Sequence, residues 1–287
     1  MRYLRYGPAG NELPAVLTAD DRVLGLHEVV QDIDGSIFDP SARGVIERAI
    51  AAGSLPEVDL DDHRIGPPLR HVSKIVCVGL NYDEHAAEAA MSRPAEPILF
   101  MKAPSSMCGP NDPIRLPPGA TTVDYEVELG IVIGRRSLYL SSCAEAADAI
   151  GGYTICNDVS DRHSQLERGG QWMKGKSFPT FAPLGPYLVT ADEVDDHQNL
   201  QLSLSVNEQI RQDSNTKHMI FGVVHLVHYI SQFMELLPGD LICTGTPHGV
   251  ALGLGADAYL AAGDRVETRI EGLGAQTNEV FGSVTST

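Results

Sequence analysis

Glu126 and Glu128 stand two residues apart in Asp124-Tyr125-Glu126-Val127-Glu128-Leu129-Gly130-Ile131-Val132-Ile133-Gly134, at the head of an apolar run. In an extended chain, side chains two apart share a face. The two carboxylates therefore project side by side, with Asp124 on the same face nearer the strand entrance. Paired carboxylates repel and are costly to desolvate unless a cation joins them. The spacing suits a divalent-metal site, and it suits a solvated edge strand equally. A second acidic cluster closes another apolar run, in Ile155-Cys156-Asn157-Asp158-Val159-Ser160-Asp161-Arg162-His163-Ser164-Gln165. Acids at the end of a buried strand sit where a rigid scaffold usually presents ligands. The stretch behind it, 167–180, carries paired glycines, the only Trp of the chain, and Lys176. It reads as a loop that returns Lys176 to the site, although a surface lysine would look the same. A third cluster, Gly79-Leu80-Asn81-Tyr82-Asp83-Glu84-His85-Ala86-Ala87-Glu88, runs from a strand end into a short helix. There Glu88 shares a helical face with His85. A carboxylate that orients an imidazole makes a competent general base; a solvated helical pair has the same spacing.

These clusters need strands to hold them. From Lys74 onward the chain alternates buried, glycine-punctuated runs: KIVCVGL, PILFMK, YEVELGIVIG, GGYTICNDV, GPYLVT, LQLSLSV, DLICTGT and DRVETRI. Helical patterns are fewer: DEHAAEAAM, CAEAADAI and the long MIFGVVHLVHYISQFMEL. Residues 1–70 show short strands (RYLRYG, PAVLT, RVLGL) and one helix near SARGVIERAIAAG, without a chemically useful cluster. Gly66-Pro67-Pro68 breaks the chain, which gives a small N-terminal α+β domain, 1–70, and a catalytic domain, 71–287. Many strands with few intervening helices predict a mainly β fold with peripheral helices, not a doubly wound sheet.

Composition limits the partners. The chain has 287 residues and a formal charge of -17, a field that opposes nucleic acid and anionic membranes. The same field opposes an anionic substrate unless a local cation, such as a metal ion, receives it. No apolar run approaches the ~18 residues of a membrane helix, and no signal-like stretch follows MRYLRYGPAG. The five cysteines form no CxxC pair and read as reduced, core cysteines of a cytoplasmic protein. His225 and His228 lie three apart in an apolar stretch and read as core or interface histidines. The glycines of 249–255 lack the strand–helix context and Lys of a phosphate loop. Gly239-Asp240 and Gly263-Asp264 read as strand entrances.

Taken together, GLNYDEHAAE, PILFMKAPSS, DYEVELGIVIG, GGYTICNDVSDR, GKSFPTF and PGDLICTGTPHGV, in that order, resemble the fumarylacetoacetate hydrolase family over about residues 71–275. The resemblance implies a mixed β-roll with a divalent cation held by Glu126, Glu128 and Asp158. It also implies a substrate-binding Arg162, a catalytic Lys176, and a water-activating pair formed by His85 and Glu88. Thr246 matches a substrate hydrogen-bond donor and Gln165 a lid residue. Two departures stand out: Pro179 replaces an Asp found in many relatives, and VSDRHSQ replaces VSARDLQ. With LERGGQWMKGKS behind it, the second variant is similar to the branch acting on 2,4-diketo-3-deoxy sugar acids, L-rhamnonate derivatives especially. All-oxygen ligation favours Mg²⁺ or Mn²⁺. The implied reaction is hydrolytic cleavage of the C3–C4 bond of a 2,4-diketo acid to pyruvate and a hydroxy acid such as L-lactate. Decarboxylation or isomerisation of a small oxo-acid on the same metal site is the alternative, as is a non-catalytic sugar-acid binding module. A homodimer or higher homo-oligomer is expected, through the apolar long helix.

Overall fold

The computed structural model describes residues 1–88 and 92–283. Its strands follow from two patterns of burial. Val127–Ile133 (VELGIVI) and Ile75–Gly79 (IVCVG) are buried at every position, as strands covered on both faces must be. Gln201–Val206 and Arg265–Ile270 alternate buried with less buried residues, the period of a sheet with one face to solvent. The first pair lies in a ten-stranded sheet and the second in a five-stranded one.

The large sheet runs Val23–Gly25, Leu13–Leu17, Arg2–Tyr6, Leu188–Thr190, Ile150–Asn157, Val127–Ile133, Leu241–Cys243, Ile75–Gly79 and Ile98–Lys102, with Ile65–Gly66 added beside Arg2–Tyr6. Its pairings are antiparallel except Leu241–Cys243 with Ile75–Gly79. The first 70 residues thus continue the same sheet, through Arg2↔Val189 and Tyr3↔Leu188. The small sheet runs Gln209–Asn215, Gln201–Val206, Arg265–Ile270, Gly274–Phe281 and Ile114–Arg115. The main core lies between the sheets, where Val127, Leu129, Ile131 and Ile133 meet Leu202, Leu204, Val266 and Val280. On the other face of the large sheet, Cys77, Val132, Cys156 and Cys243 pack under Ile33, Ile37, Ile46 and Leu55 of the N-terminal segment. This is the mainly β fold with peripheral helices that the residue patterns predict; the two sheets remain open.

Two helices are shorter than their sequence patterns. The stretch 219–236 is helical only over Val223–Ile230. Asn81 takes the preceding backbone: its Oδ1 accepts from Phe221 N at 2.8 Å and its carbonyl from Ile220 N at 2.8 Å. Gln198 Oε1 then accepts from Val223 N at 2.9 Å and starts the helix. The helix buries Val223, Leu226, Val227 and Ile230, while His225 is exposed. The pattern at 143–150 yields Cys143–Ala147, capped by Ser142, because Ile150 already begins the next strand. The pattern at 83–91 is a helix over Asp83–Glu88; Ala89, Ala90 and Met91 lie outside the described residues. Strands at Gln209–Asn215 and Gly274–Phe281 are additions to the sequence reading. Both are mostly polar, and their buried positions include Gln212, Ser214, Gln276 and Asn278.

Candidate active site

The site forms where two neighbouring strands of the large sheet reach the same end. Val127–Ile133 and Ile150–Asn157 are antiparallel, with Val127 opposite Asn157 and Glu128 opposite Cys156. The ladder continues one step past the strands, where Asp158 N donates to Glu126 O at 2.9 Å. That register brings Glu126 and Glu128 on one strand against Asp158 on the other. One carboxylate oxygen from each lies within 4.8 Å of the others, and all three residues are buried. Gln212, from the small sheet, pins the start of this strand: its Oε1 accepts from Val127 N at 2.9 Å, and its Nε2 donates to Thr246 Oγ1 at 2.8 Å.

Three cations surround the triad. Lys176 Nζ donates to Glu126 Oε2 and to Asp158 Oδ2, each at 2.7 Å. Lys102, at the end of Ile98–Lys102, bonds the other Asp158 oxygen at 2.5 Å and the carbonyl of Val159 at 3.1 Å. Arg162 donates to Glu126 Oε1 at 2.6 Å, to Asp124 Oδ2 at 2.8 Å and to Gln165 Oε1 at 2.9 Å. Glu128 is the exception. Its recorded partner is the backbone N–H of Gly245, at 2.9 Å. Burial, then the charges of Asp158 and Glu126, push its carboxyl well above the usual carboxylate range. Burial also opposes ionisation of Glu126, but Lys176 and Arg162 outweigh it and hold that carboxyl below the usual range. For Lys176, burial disfavours the ammonium, and Asp158 with Glu126 reverse the sign and keep it charged.

Lys102 is the member that sequence reading missed. It is a single lysine ending an apolar run, PILFMK, and its pairing spans 56 residues of chain. Asp124, on the same segment, holds Arg162 and accepts from Ala251 N at 2.7 Å and Leu252 N at 3.0 Å. Formally, Asp124, Glu126 and Asp158 balance Lys102, Lys176 and Arg162, and a protonated Glu128 leaves this cluster neutral. A divalent ion, with Glu128 ionised, would leave one net positive charge. The donor set fits such an ion: three buried carboxylates, with Glu128 lacking a cationic partner of its own.

A cleft of ≈ 570 Å³, including space open to solvent, lies over the triad. His85, Glu126, Glu128, Arg162, Gln165, Lys176 and Thr246 all line it. Glu88 does not; it stands behind His85, with Nδ1 to Oε2 at 3.4 Å, and accepts from Gly249 N at 3.0 Å. Burial raises the Glu88 carboxyl, and the His85 and Gly249 bonds bring it below its ordinary value. Thr246 Oγ1 donates to Val127 O at 3.0 Å. Lys176 reaches the cleft because its short helix, Met173–Lys176, packs against the turn at His163–Glu167. A Cβ on Gly175 would stand 2.4 Å from Asp161 O. Pro179 is exposed, and the acids that hold Lys176 are those of the triad.

The remaining wall is apolar. The Trp172 ring lies so close to Gly79 that a Cβ there would be 2.5 Å from it. Its centroid is 5.4 Å from that of Phe100, and Phe100 in turn faces the Lys176 ammonium at 4.9 Å. Leu80, Leu166 and Leu252 complete the wall. Leu80 adopts a left-handed backbone, φ 53, where the strand turns into the His85 helix.

Residues 74–281 match the Fumarylacetoacetate (FAA) hydrolase C-terminal family. A protein of Burkholderia lata named only "Putative hydrolase" is 47% identical over 277 residues, 96% of this chain and 97% of that protein. Among solved structures, 2-hydroxyhepta-2,4-diene-1,7-dioate isomerase from Mycobacterium marinum is 36% identical with a TM-score of 0.76, covering 99% of this chain and 100% of the other. Maleylpyruvate hydrolase from Sphingobium sp. SYK-6, solved with manganese(II) and pyruvate, is 27% identical with a TM-score of 0.81 over the same shares. The chain therefore belongs to the fumarylacetoacetate hydrolase family.

Proposed function

We propose, with that membership as the premise, that the chain is a divalent-metal-dependent hydrolase. It cleaves the C3–C4 bond of a 2,4-diketo-3-deoxy sugar acid, 2,4-diketo-3-deoxy-L-rhamnonate, to pyruvate and L-lactate. The observation that carries the reading is a buried carboxylate triad, ringed by Lys102, Lys176 and Arg162, with an Asp/Glu-type metal donor set and, on the cleft that Glu126 and Glu128 line, a separate His85 backed by Glu88.

Glu126, Glu128 and Asp158 would hold Mg²⁺ or Mn²⁺, which supplies Lewis-acid charge to polarise the 2-oxo group. The substrate carboxylate displaces Gln165 from Arg162, the guanidinium edge not committed to Asp124 and Glu126. His85, oriented by Glu88, takes a proton from water as the oxygen attacks C4. The C3–C4 bond then breaks, and C3 leaves with the electron pair as the enolate of pyruvate. Lys176, the ammonium that lines the cleft, stabilises that charge, and a proton returned to C3 completes pyruvate. Thr246 serves as a hydrogen-bond partner at the cleft floor, and Gln165 lies on the loop that closes over it.

A second reading has its own support. The Mycobacterium marinum relative is named an isomerase, and isomerisation or decarboxylation needs the enolate but no attacking water. The decisive assay incubates the enzyme, Mg²⁺ and the diketo acid and quantifies products. Equal pyruvate and lactate is expected, lost in EDTA. Carbon dioxide without lactate, or a rearranged acid, would replace this reading.

We place the protein in the cytoplasm as a homodimer or higher homo-oligomer and keep 1–70 as an accessory unit. Support for self-association is the partly exposed aromatic ladder Phe221, His225, Tyr229 and Phe233, whose first two pairs stack at 5.6 and 6.1 Å and whose last is tilted at 4.9 Å between centroids. Among the described residues no helix is long and apolar enough to cross a membrane.

A further inference from the structure

The cleft is lined by a few charged groups, Glu126, Glu128, Arg162, Lys176 and His85, and otherwise largely by apolar side chains. Among the described residues, the lysine and arginine side chains lining the cleft are Lys176 and Arg162. Both are already committed to the acids of the triad. The third titratable lining group outside the carboxylates, His85, is tied to Glu88. The same lining includes Leu80, Leu166, Trp172 and Leu252, an apolar wall. The loop does carry two more cations, Arg168 and Lys174, but both are exposed, and the Lys174 ammonium bonds the Arg168 carbonyl at 2.6 Å. A carboxylate pressed against the wall would lose its water and find no partner there. A methyl group loses nothing and buries apolar surface on Trp172 and the three leucines.

We propose that this wall makes the enzyme selective for 2-oxo acids whose far end is uncharged and methyl-terminated, and that it discriminates against acids carrying a second carboxylate. The inference rests on the 2-oxo-acid reading of the site and adds to it a structural basis for rejecting diacids. Leu166 is the residue best placed to change the preference. It lines the cleft yet is 44% exposed, so a long cationic side chain fits at that position without entering the core.

Two stable acids of equal chain length test this without any reaction: 2-oxopentanoate, ending in methyl, and 2-oxoglutarate, ending in carboxylate. Calorimetric titration at pH 7.5 in saturating Mg²⁺ gives each Kd. The fluorescence of Trp172, the only Trp in the chain, reports whether the bound acid touches the wall. The expected result is 2-oxopentanoate tighter by about tenfold or more, as an uncompensated buried charge requires, with a change in Trp172 emission. Leu166→Arg should erase or invert the ratio by tightening 2-oxoglutarate. Equal or tighter 2-oxoglutarate binding to the unmodified enzyme overturns the proposal, as does 2-oxopentanoate binding that leaves Trp172 unaffected or a ratio unmoved by Leu166→Arg. Binding of neither acid sinks it together with the 2-oxo-acid reading. A correct preference without diketo-acid cleavage refutes the hydrolase reading alone, and cleavage without the preference refutes the selectivity alone.

Discussion

Replacing Glu128 with Gln should make the metal-free protein more stable and the enzyme inactive. Glu128 is 2% exposed, accepts a hydrogen bond from the Gly245 backbone N–H, and among the described residues forms no ion pair. Its carboxyl is pushed well above the ordinary value of 4.5, first by burial, then by Asp158 and Glu126. A carboxyl with a raised folded pKa penalises folding above its unfolded value, and the penalty fades as pH falls below 4.5. If it stays protonated in the fold at pH 7, the cost relative to the ionised unfolded chain is at most about 3 kcal/mol. Glutamine removes that proton linkage, keeps the shape, and can still accept from Gly245. At pH 7 in EDTA, Glu128→Gln should therefore raise Tm by up to ~5 °C for a chain of this length, with the gain shrinking toward pH 4.5. With Mg²⁺ the ranking should reverse, because the unmodified chain gains stability by binding the ion and the variant does not. Thermal melts at both pH values, with EDTA and with Mg²⁺, measure all four numbers. A variant less stable than the parent in EDTA, or one that still gains Tm with Mg²⁺, would refute the reasoning.

His85→Ala should lower diketo-acid turnover by about 10²–10⁴-fold while the affinity for oxalate, read by calorimetry in Mg²⁺, stays within a few fold; unchanged turnover would remove the water-activating role. Lys102→Met should weaken metal-dependent activity, because Asp158 loses the cation that fixes one of its oxygens; full activity at sub-millimolar Mg²⁺ would show that Lys102 is dispensable. Glu12→Gln should cost about 1.5–3 kcal/mol at pH 7, since Glu12 sits between Arg5 and Arg64 at 3.3 and 2.8 Å. Burial raises the Glu12 carboxyl, but the Arg64 bond brings it below its usual 4.5. Its contribution is therefore complete above 4.5 and lost as pH falls through the folded value, so urea denaturation of parent and variant should converge in acid.

How much of this was legible in the sequence depends on range. The strand runs and the carboxylate spacing were readable because Val127–Ile133 is apolar on both faces and because Glu126 and Glu128 share one face by local geometry. Asp158 could be flagged as an acid at a strand end, yet its meeting with Glu126 depends on a register that pairs Val127 with Asn157, far apart in the chain. Lys102 was invisible for the same reason: nothing near it in the chain is acidic. Arg162 was assigned to a substrate from the resemblance, and the structure shows what local reading could not, that two of its bonds already go to Asp124 and Glu126. The overlong helix at 219–236 shows the limit of periodicity, since a buried Asn81, far away in sequence, decides where the first turn begins.

The triad sits on a hydrogen-bonded ladder, whereas the apolar wall, which on the proposed selectivity would meet the far end of the substrate, comes largely from the Leu166–Trp172 segment and from single leucines at element ends. Substitutions in the loop do not pass through the ladder, so the electrophilic centre and the choice of acid are separable parts. A library confined to residues 166–172 would explore new substrates at little risk to metal capture, while mutations in Val127–Ile133 would cost both at once. Such a division makes the fold a chassis: one apparatus for polarising a carbonyl, offered to different molecules by exchanging a short surface segment.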